Sequence, residues 1–334
     1  MNPVILAIES SCDETSAAVI GNGKVLNNII ATQKVHANYG GVVPELASRE
    51  HMKSIVPVVH ESMKAAGITA KDLDAVAFTK GPGLLGALLV GNSFAKGLSM
   101  SLQVPLIEVN HMQAHILSHF IEKPYPSFPF LCLTVSGGHS QLVVVRDYLD
   151  MEVIGETVDD AVGEAFDKSA KLLGLPYPGG PLIDQLASEG DPYAFDFPKS
   201  TMPAYNFSFS GIKTAILYFL RERLMEDSDF IEKRKKDLAA SIQRVLISML
   251  MDKLEKAADA LSIKQVAIAG GVSANSGLRN SLKKTAVNKG WEVFIPEFEY
   301  CTDNAGMIAM AAHFKYMAKD FADLSSIPDP RFKF

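Results

Sequence analysis

Cysteine is scarce in this chain: Cys12, Cys132 and Cys301 are the only three, and no two stand at CxxC spacing. An odd, scattered set makes a poor disulfide framework and fits a reducing compartment. Long apolar runs are also missing. The longest, Val76–Val90, is broken by Lys80, Gly81, Pro82 and Gly83, whereas a spanning helix needs about 20 mostly apolar residues. No basic leader precedes the first apolar run, and Glu9 follows too early for a secretory signal. Positive charge is not in excess either, with 32 Lys and Arg against 38 Asp and Glu for a net −6. That balance argues against a free-standing nucleic-acid binder. A cytoplasmic protein with no membrane partner is the expectation. The one local exception is the run Lys233, Arg234, Lys235 and Lys236, flanked by Arg221, Arg223 and Arg244. It reads either as a solvated helix end or as a contact for RNA or a partner.

What is present is ordinary for a globular chain, with 48% hydrophobic and 21% charged residues. Its length suggests roughly two domains. Three short strands over Val4–Ile8, Ser16–Ile20 and Lys24–Ala31, joined by tight turns such as Gly21-Asn22-Gly23, open the chain. A helix over Pro44–Ala66 ending at Gly67, a buried strand at Ala75–Thr79, a long helix to Leu102 and a strand at Leu106–Val109 follow. The pattern restarts with strands at Phe130–Val135, Gln141–Arg146 and Glu152–Glu156. Helices dominate from Asp160 to Leu261. A strand at Gln265–Ala269, a helix over Ser273–Asn288, a strand at Trp291–Ile295 and a helix over Thr302–Lys319 close the chain. Strands followed by helices, twice over, predict two similar α/β lobes. Ser325–Phe334, with Pro328 and Pro330, reads as a loosely ordered tail.

Small and hydroxyl residues mark the ends of three strands, in Glu9–Thr15, Thr134–Ser140 and Ala269–Asn275. Glycine at such ends lets backbone N–H groups approach phosphate oxygens, and a helix starting after Gly270-Gly271 adds a favourable field for anions. One such turn is weak evidence. The three together resemble the phosphate and adenosine elements of the actin/Hsp70/sugar-kinase (ASKHA) superfamily, α/β proteins with duplicated ribonuclease-H-like lobes and a nucleotide in the interlobe cleft.

His111 and His115 stand four residues apart on a helical stretch, so they share one face. That spacing suits two ligands of one metal ion, and it equally suits a hydrogen-bonded or surface pair. His119 continues the face but lies about 12 Å from His111 on a straight helix, too far for the same ion. A zinc peptidase needs Glu directly after the first histidine, and Met112 stands there. A third ligand must come from elsewhere. Asp303 is the best local candidate, although an acid opening a helix is also stabilised simply by the helix dipole.

Taken with Gly40–Arg49, Gly81–Gly86, Asp159–Lys168, Tyr177–Pro181, Phe207–Thr214 and Cys301–Asn304, these segments run in order from residue 9 to about 310. The set resembles the TsaD family of tRNA N6-adenosine threonylcarbamoyltransferases, formerly described as O-sialoglycoprotein endopeptidases. The resemblance implies transfer of a threonylcarbamoyl group from threonylcarbamoyl-AMP to N6 of the adenosine 3′ of the anticodon, in tRNAs reading codons that begin with A. It implies one divalent ion on His111, His115 and Asp303, with Fe(2+) favoured and Zn(2+) as the other choice. It implies donor contacts at Thr134, Val135, Ser136, Gly137, Gly138, Asp167, Gly180, Asp184 and Asn275. It further implies a catalytically silent paralogue (TsaB-like) and a small ATPase (TsaE-like) as partners. The lobes would be 1–125 completed by 302–324, and 126–301, followed by the tail 325–334. Some archaeal-type members place a metal-binding Tyr where this chain has Thr134, so a substrate oxygen or water is expected in its place.

Acyl transfer from a mixed anhydride to a weak amine nucleophile needs positioning and charge stabilisation above all. It also needs an acceptor for the amine proton. Asp13 and Glu14 are the candidates from their place in the first turn, where an acid also serves simply to form the turn. Two other classes compete: a metallopeptidase, in which the glycine turns would be idle, and a non-catalytic paralogue that scaffolds the complex, which should lack the histidine pair and the late aspartate.

Overall fold

The computed structural model describes residues 3–334; Met1 and Asn2, assigned above to the first lobe, lie outside the described residues. Along the chain run β1 (Val4–Glu9), β2 (Glu14–Gly21), β3 (Lys24–Thr32), α1 (Pro44–Ala65), β4 (Ala75–Gly81), α2 (Leu85–Leu102), β5 (Leu106–Asn110) and α3 (His111–Leu117). Then come β6 (Phe130–Val135), β7 (Ser140–Asp147), β8 (Asp150–Glu156), α4 (Val162–Leu172), α5 (Gly180–Ala187), α6 (Ser210–Glu226) and α7 (Phe230–Leu261). β9 (Gln265–Ala269), α8 (Ser276–Lys289), β10 (Glu292–Phe294) and α9 (Ala305–Met317) complete it.

The chain forms two compact units, one of Met1–Pro126, Asp147–Met151 and Pro296–Phe334, the other of Ser127–Arg146 and Glu152–Ile295. In the first, the strand order is β3-β2-β1-β4-β5. β1 is antiparallel to β2 and parallel to β4, with Ile8 opposite Phe78. In the second the order is β10-β9-β6-β7-β8. β6 is antiparallel to β7 and parallel to β9, with Leu133 opposite Ile268. Read outward from β1 and from β6, the two sheets have the same plan.

The central strands are apolar except near their C-terminal ends, because both of their faces are covered. β1 buries Ile5, Leu6, Ala7 and Ile8, whereas the outer strand β3 alternates. The core of the first unit joins Leu6, Ile8, Val76 and Phe78 to Ile55 and Val59 of α1. That of the second joins Leu133 and Ile268 to Phe166, Ile216 and Leu246. Full burial of such side chains stabilises by about 1.5–3 kcal/mol each. The hairpin between β2 and β3 turns on Asn22 (φ 55°) and Gly23 (φ 72°), the pair of left-handed residues that a two-residue turn between twisted strands requires.

Three local expectations differ from the structure. The helix expected from Ser273 begins at Ser276, because Gly271–Ala274 forms a separate 3-10 turn and the side chain of Asn275 caps α8 by accepting from Leu278 N. The last helix begins at Ala305 rather than Thr302, because Asn304 accepts from Met307 N and takes the cap. The tail is not loose: Asp329 N donates to Lys80 O (2.9 Å) and Pro330 O accepts from Gly83 N (3.3 Å). Its prolines lose a donor but keep their carbonyls as acceptors. All three cysteines are free thiols. Among the described residues no helix is long and apolar enough to cross a membrane.

Candidate metal centre and nucleotide turns

His111 is the first residue of α3, and His115 follows one turn later. Asn110 fixes where that helix starts, its Oδ1 accepting from Met112 N and Gln113 N. The two imidazoles are edge-to-face with centroids 4.7 Å apart. Asp303 stands just before the Asn304 cap of α9. Since Asn304 does the capping, the Asp303 carboxylate is released from helix duty. Its Oδ1 lies 3.2 Å from His111 Nε2 and 3.2 Å from His115 Nε2. One ligand atom from each of the three lies within 4.8 Å of the others. The histidine side chains are 8% and 0% exposed and that of Asp303 22%, so access to the ligand atoms is from the aspartate side.

Glu9, the first residue of the opening signature, completes the group. Glu9 ends β1, fully buried, and accepts from His111 Nδ1 (3.0 Å), from Thr79 Oγ1 (2.6 Å) and from Ser11 N. Carboxylates therefore face both ring nitrogens of His111. Burial alone would push the His111 imidazolium down, but Asp303 and Glu9 outweigh it and hold it well above the ordinary histidine range. Burial likewise raises Asp303, and the two imidazoles reverse that and hold it well below the usual carboxylate range. For His115 burial wins, and its pKa is lowered. Two carboxylates around one imidazolium, Glu9 fully buried and Asp303 partly exposed, leave an excess negative charge that a cation in place of the proton would balance. With its Nδ1–H given to Glu9, His111 turns Nε2 towards Asp303 as a ligand atom, the carboxylate–histidine arrangement that usually backs a metal-bound imidazole. The residues present thus fit a divalent ion. Glu9→Gln, which keeps the volume and removes the charge, is expected to weaken zinc binding about 10–100-fold while the fold persists. A competition titration paired with a denaturant melt measures both; unchanged affinity would sink this role for Glu9.

The turn after β1 carries Asp13 and Glu14. His51, fully buried on α1, braces it from behind, with Nε2 donating to Cys12 O (3.0 Å) and Nδ1 2.7 Å from Thr15 Oγ1. Burial first, and then the carboxylates of Asp303 and Asp13, push Glu14 up to about 9. Glu14 therefore holds a proton at neutral pH and is a poor base. His51 lies in no motif; Glu9 opens the first strand-end signature, and the legible signal for it is an acid ending an otherwise apolar buried strand.

The nine residues that the resemblance assigned to the donor all fall in the second unit, in one connected stretch. Thr134 and Val135 end β6, paired with β9 through Thr134 opposite Ala269. Ser136, Gly137 and Gly138 form the exposed turn beyond, closed by Ser136 N donating to His139 O (2.8 Å). Gly163 of α4 packs directly beneath it, and a Cβ there would meet Ser136 O at 2.6 Å. One turn along α4, Asp167 Oδ1 accepts from Gly179 N (2.8 Å) and Gly180 N (3.1 Å), and burial raises its pKa. Asp184 accepts from Ser276 N (2.9 Å) and Ser276 Oγ (2.8 Å), beside Asn275. Asn275 in turn donates to Gln243 Oε1 (2.7 Å). Gly270 takes φ +86° because Val135 O stands where a Cβ would go.

The basic run is matched by acids. Lys233 pairs with Asp227, Arg234 with Asp237, Lys235 with Glu232, Lys236 with Glu189, Arg223 with Glu226 and Arg244 with Asp196, all at 2.5–3.2 Å. Such exposed pairs add little stability, but they cancel the local field, which favours the solvated-helix reading over an RNA face.

A family model described as tRNA N6-adenosine threonylcarbamoyltransferase matches residues 24–310. The enzyme of that name from Christiangramia forsetii is 63% identical over 333 residues, covering 99% of this chain and 98% of the relative. Among solved structures, HypF superposes with a TM-score of 0.62 at 16% identity, over 95% of this chain and 47% of HypF. The (R)-2-hydroxyglutaryl-CoA dehydratase component A of Acidaminococcus fermentans superposes at 0.54 with 15% identity, over 95% and 99%. At that identity the likeness is of fold alone, an α/β architecture in which each of two units is built on a five-stranded mixed sheet. The sequence matches go further and leave both the peptidase and the silent-paralogue readings unsupported: the chain belongs to the tRNA N6-adenosine threonylcarbamoyltransferase (TsaD) family.

Proposed function

We propose that this chain forms N6-threonylcarbamoyladenosine at the adenosine 3′ of the anticodon, in tRNAs reading A-starting codons, by taking the threonylcarbamoyl group from threonylcarbamoyl-AMP. The observation that carries the reading is the convergence of His111, His115 and Asp303 in a chain matched over nearly its whole length by enzymes of this name. These three residues would hold one divalent ion. Two imidazoles and one carboxylate with an open side are the pattern that suits Fe(2+), and Zn(2+) accepts the same ligands. Such an ion, when bound, supplies Lewis acidity towards a carbonyl oxygen.

The remaining work falls to the chain. The backbone of Gly137 and Gly138 offers N–H donors to the donor's phosphate, with nothing in the space a side chain would fill at either glycine. Asp167, Gly180, Asp184 and Asn275 frame the nucleotide around that turn. Asp13 accepts the proton released when the adenine amine attacks the carbonyl carbon and the bond from that carbon to the AMP phosphate oxygen breaks. AMP leaves as a stable phosphate anion, so orientation rather than leaving-group activation limits the rate. Grip on the tRNA is shared with partner proteins, a silent paralogue and a small ATPase, since the net charge is −6 and the one basic run is paired with acids. The test is transfer with purified chain, synthetic threonylcarbamoyl-AMP and unmodified tRNA, with and without those partners, reading the modified nucleoside by mass spectrometry. Absence of product under every combination, with intact donor recovered, would overturn the proposal.

A further inference from the structure

The last residues of the chain end against Asn110, the cap of the helix that carries the two histidines. We propose that Pro328–Lys333 is a strap that positions α3, and with it His111 and His115, for metal binding. This rests on the reading of His111, His115 and Asp303 as ligands.

β4 and β5 run parallel side by side, so their C-terminal ends, Lys80–Gly83 and Glu108–Asn110, open on one edge. The strap crosses both. Towards β4, Asp329 N donates to Lys80 O (2.9 Å), and Gly83 N donates to Pro330 O (3.3 Å). The approach at Gly81 is so close that a Cβ would fall 1.8 Å from Asp329 O. Towards β5, Asn110 Nδ2 donates to Phe332 O (3.4 Å) and Lys333 O (3.2 Å). Just upstream, Ser326 Oγ donates to Glu108 (2.5 Å). Lys80 ties the two sides together, donating to both Glu108 oxygens (2.9 and 3.0 Å) while its ammonium sits 4.7 Å from the centre of the Phe332 ring.

Asn110 is where this reaches the histidines. Its Oδ1 caps α3 and its Nδ2 is held by the strap, so the amide cannot rotate away from Met112 N and Gln113 N. α3 has seven residues, far too few to hold a helix by propensity alone, so packing of its buried face and the cap at Asn110 together set its position. The other arm reaches His111 by a second route. Leu84 N donates to Ser11 O (2.8 Å), and Ser11 Oγ lies 3.3 Å from His111 Nδ1.

Two nested truncations test this. Removing 332–334 takes away both carbonyls that Asn110 grips and leaves the contacts of Asp329 and Pro330. Removing 328–334 takes away the whole strap. In metal-free protein, amide exchange at Met112 and Gln113 should rise about tenfold in the shorter truncation, the loss of roughly one cap. Zinc affinity by competition should fall about tenfold, and further in the longer truncation. The absorption spectrum of the cobalt-loaded protein should change, and a synthetic 328–334 peptide should restore it. AMP affinity, which reports the turn in the other unit, should stay put. If the longer truncation fails to fold, the shorter one decides. Exchange and zinc affinity within twofold of the intact chain would overturn the strap. If the intact chain binds no zinc, the ligand reading falls, while the exchange measurement still judges the strap alone.

Discussion

His115→Ala is expected to give a folded protein that retains no metal after dialysis and forms N6-threonylcarbamoyladenosine at least about 100-fold more slowly. His111→Ala should lose the same metal and activity but also much of its stability. The difference follows from the partners of each ring. His115 Nε2 faces Asp303 and its Nδ1 has no hydrogen-bond partner among the described residues, so alanine there breaks one polar interaction and the ring contact with His111 but strands no buried charge. His111 stands between two carboxylates, one of them the fully buried Glu9. Removing its imidazole leaves that buried charge unpaired, a change that costs about 3–5 kcal/mol. Metal content by elemental analysis, denaturant unfolding and nucleoside mass spectrometry separate the two variants. Full metal content in His115→Ala would remove it from the ligand set, and equal stability of the two variants would contradict the role given to Glu9.

Much of this was visible before the structure because it is local. The apolar runs of β1, β4, β6 and β9, the Asn22-Gly23 turn, and the i, i+4 spacing of His111 and His115 all depend on neighbours within a few residues. What stayed hidden depends on distant ones. Glu9 meets His111 across 102 positions, and no periodicity reports such a pairing. Asp303 reads from its neighbours both as a third ligand and as a helix-opening acid, and the cap taken by Asn304 decides against the second. The positive run looked exposed because one of the acids that answers it, Glu189, lies 47 positions from Lys236. The tail looked loose from its prolines, yet its order comes from backbone carbonyls meeting Gly83 and Asn110, groups that composition does not weigh.

Gly270→Ala and Gly138→Val, two changes in turns read alike from the sequence, are expected to fail in opposite ways. Gly270 has φ +86°, and a Cβ there would lie 2.4 Å from Val135 O, a backbone atom of the central strand that cannot step aside. Alanine must bear a left-handed backbone and a main-chain clash together, so a loss of about 2–4 kcal/mol is expected. Gly138 lies outside the left-handed region, and a Cβ there meets nothing within 4 Å. Valine should therefore leave the melting temperature within a few degrees. It would, however, fill the space through which a phosphate reaches the turn. Loss of two charge-assisted hydrogen bonds at about 1.5–3 kcal/mol each corresponds to a loss of donor affinity of roughly 100-fold or more. Calorimetric titration with AMP and thermal melts of both variants make the comparison. A Gly138→Val protein that melts normally and binds AMP as tightly as the parent chain would move the phosphate away from this turn. A Gly270→Ala protein as stable as the parent would mean that the β9 turn can retreat from Val135. Open space at one glycine and main chain at the other is what assigns the first to the ligand and the second to the fold.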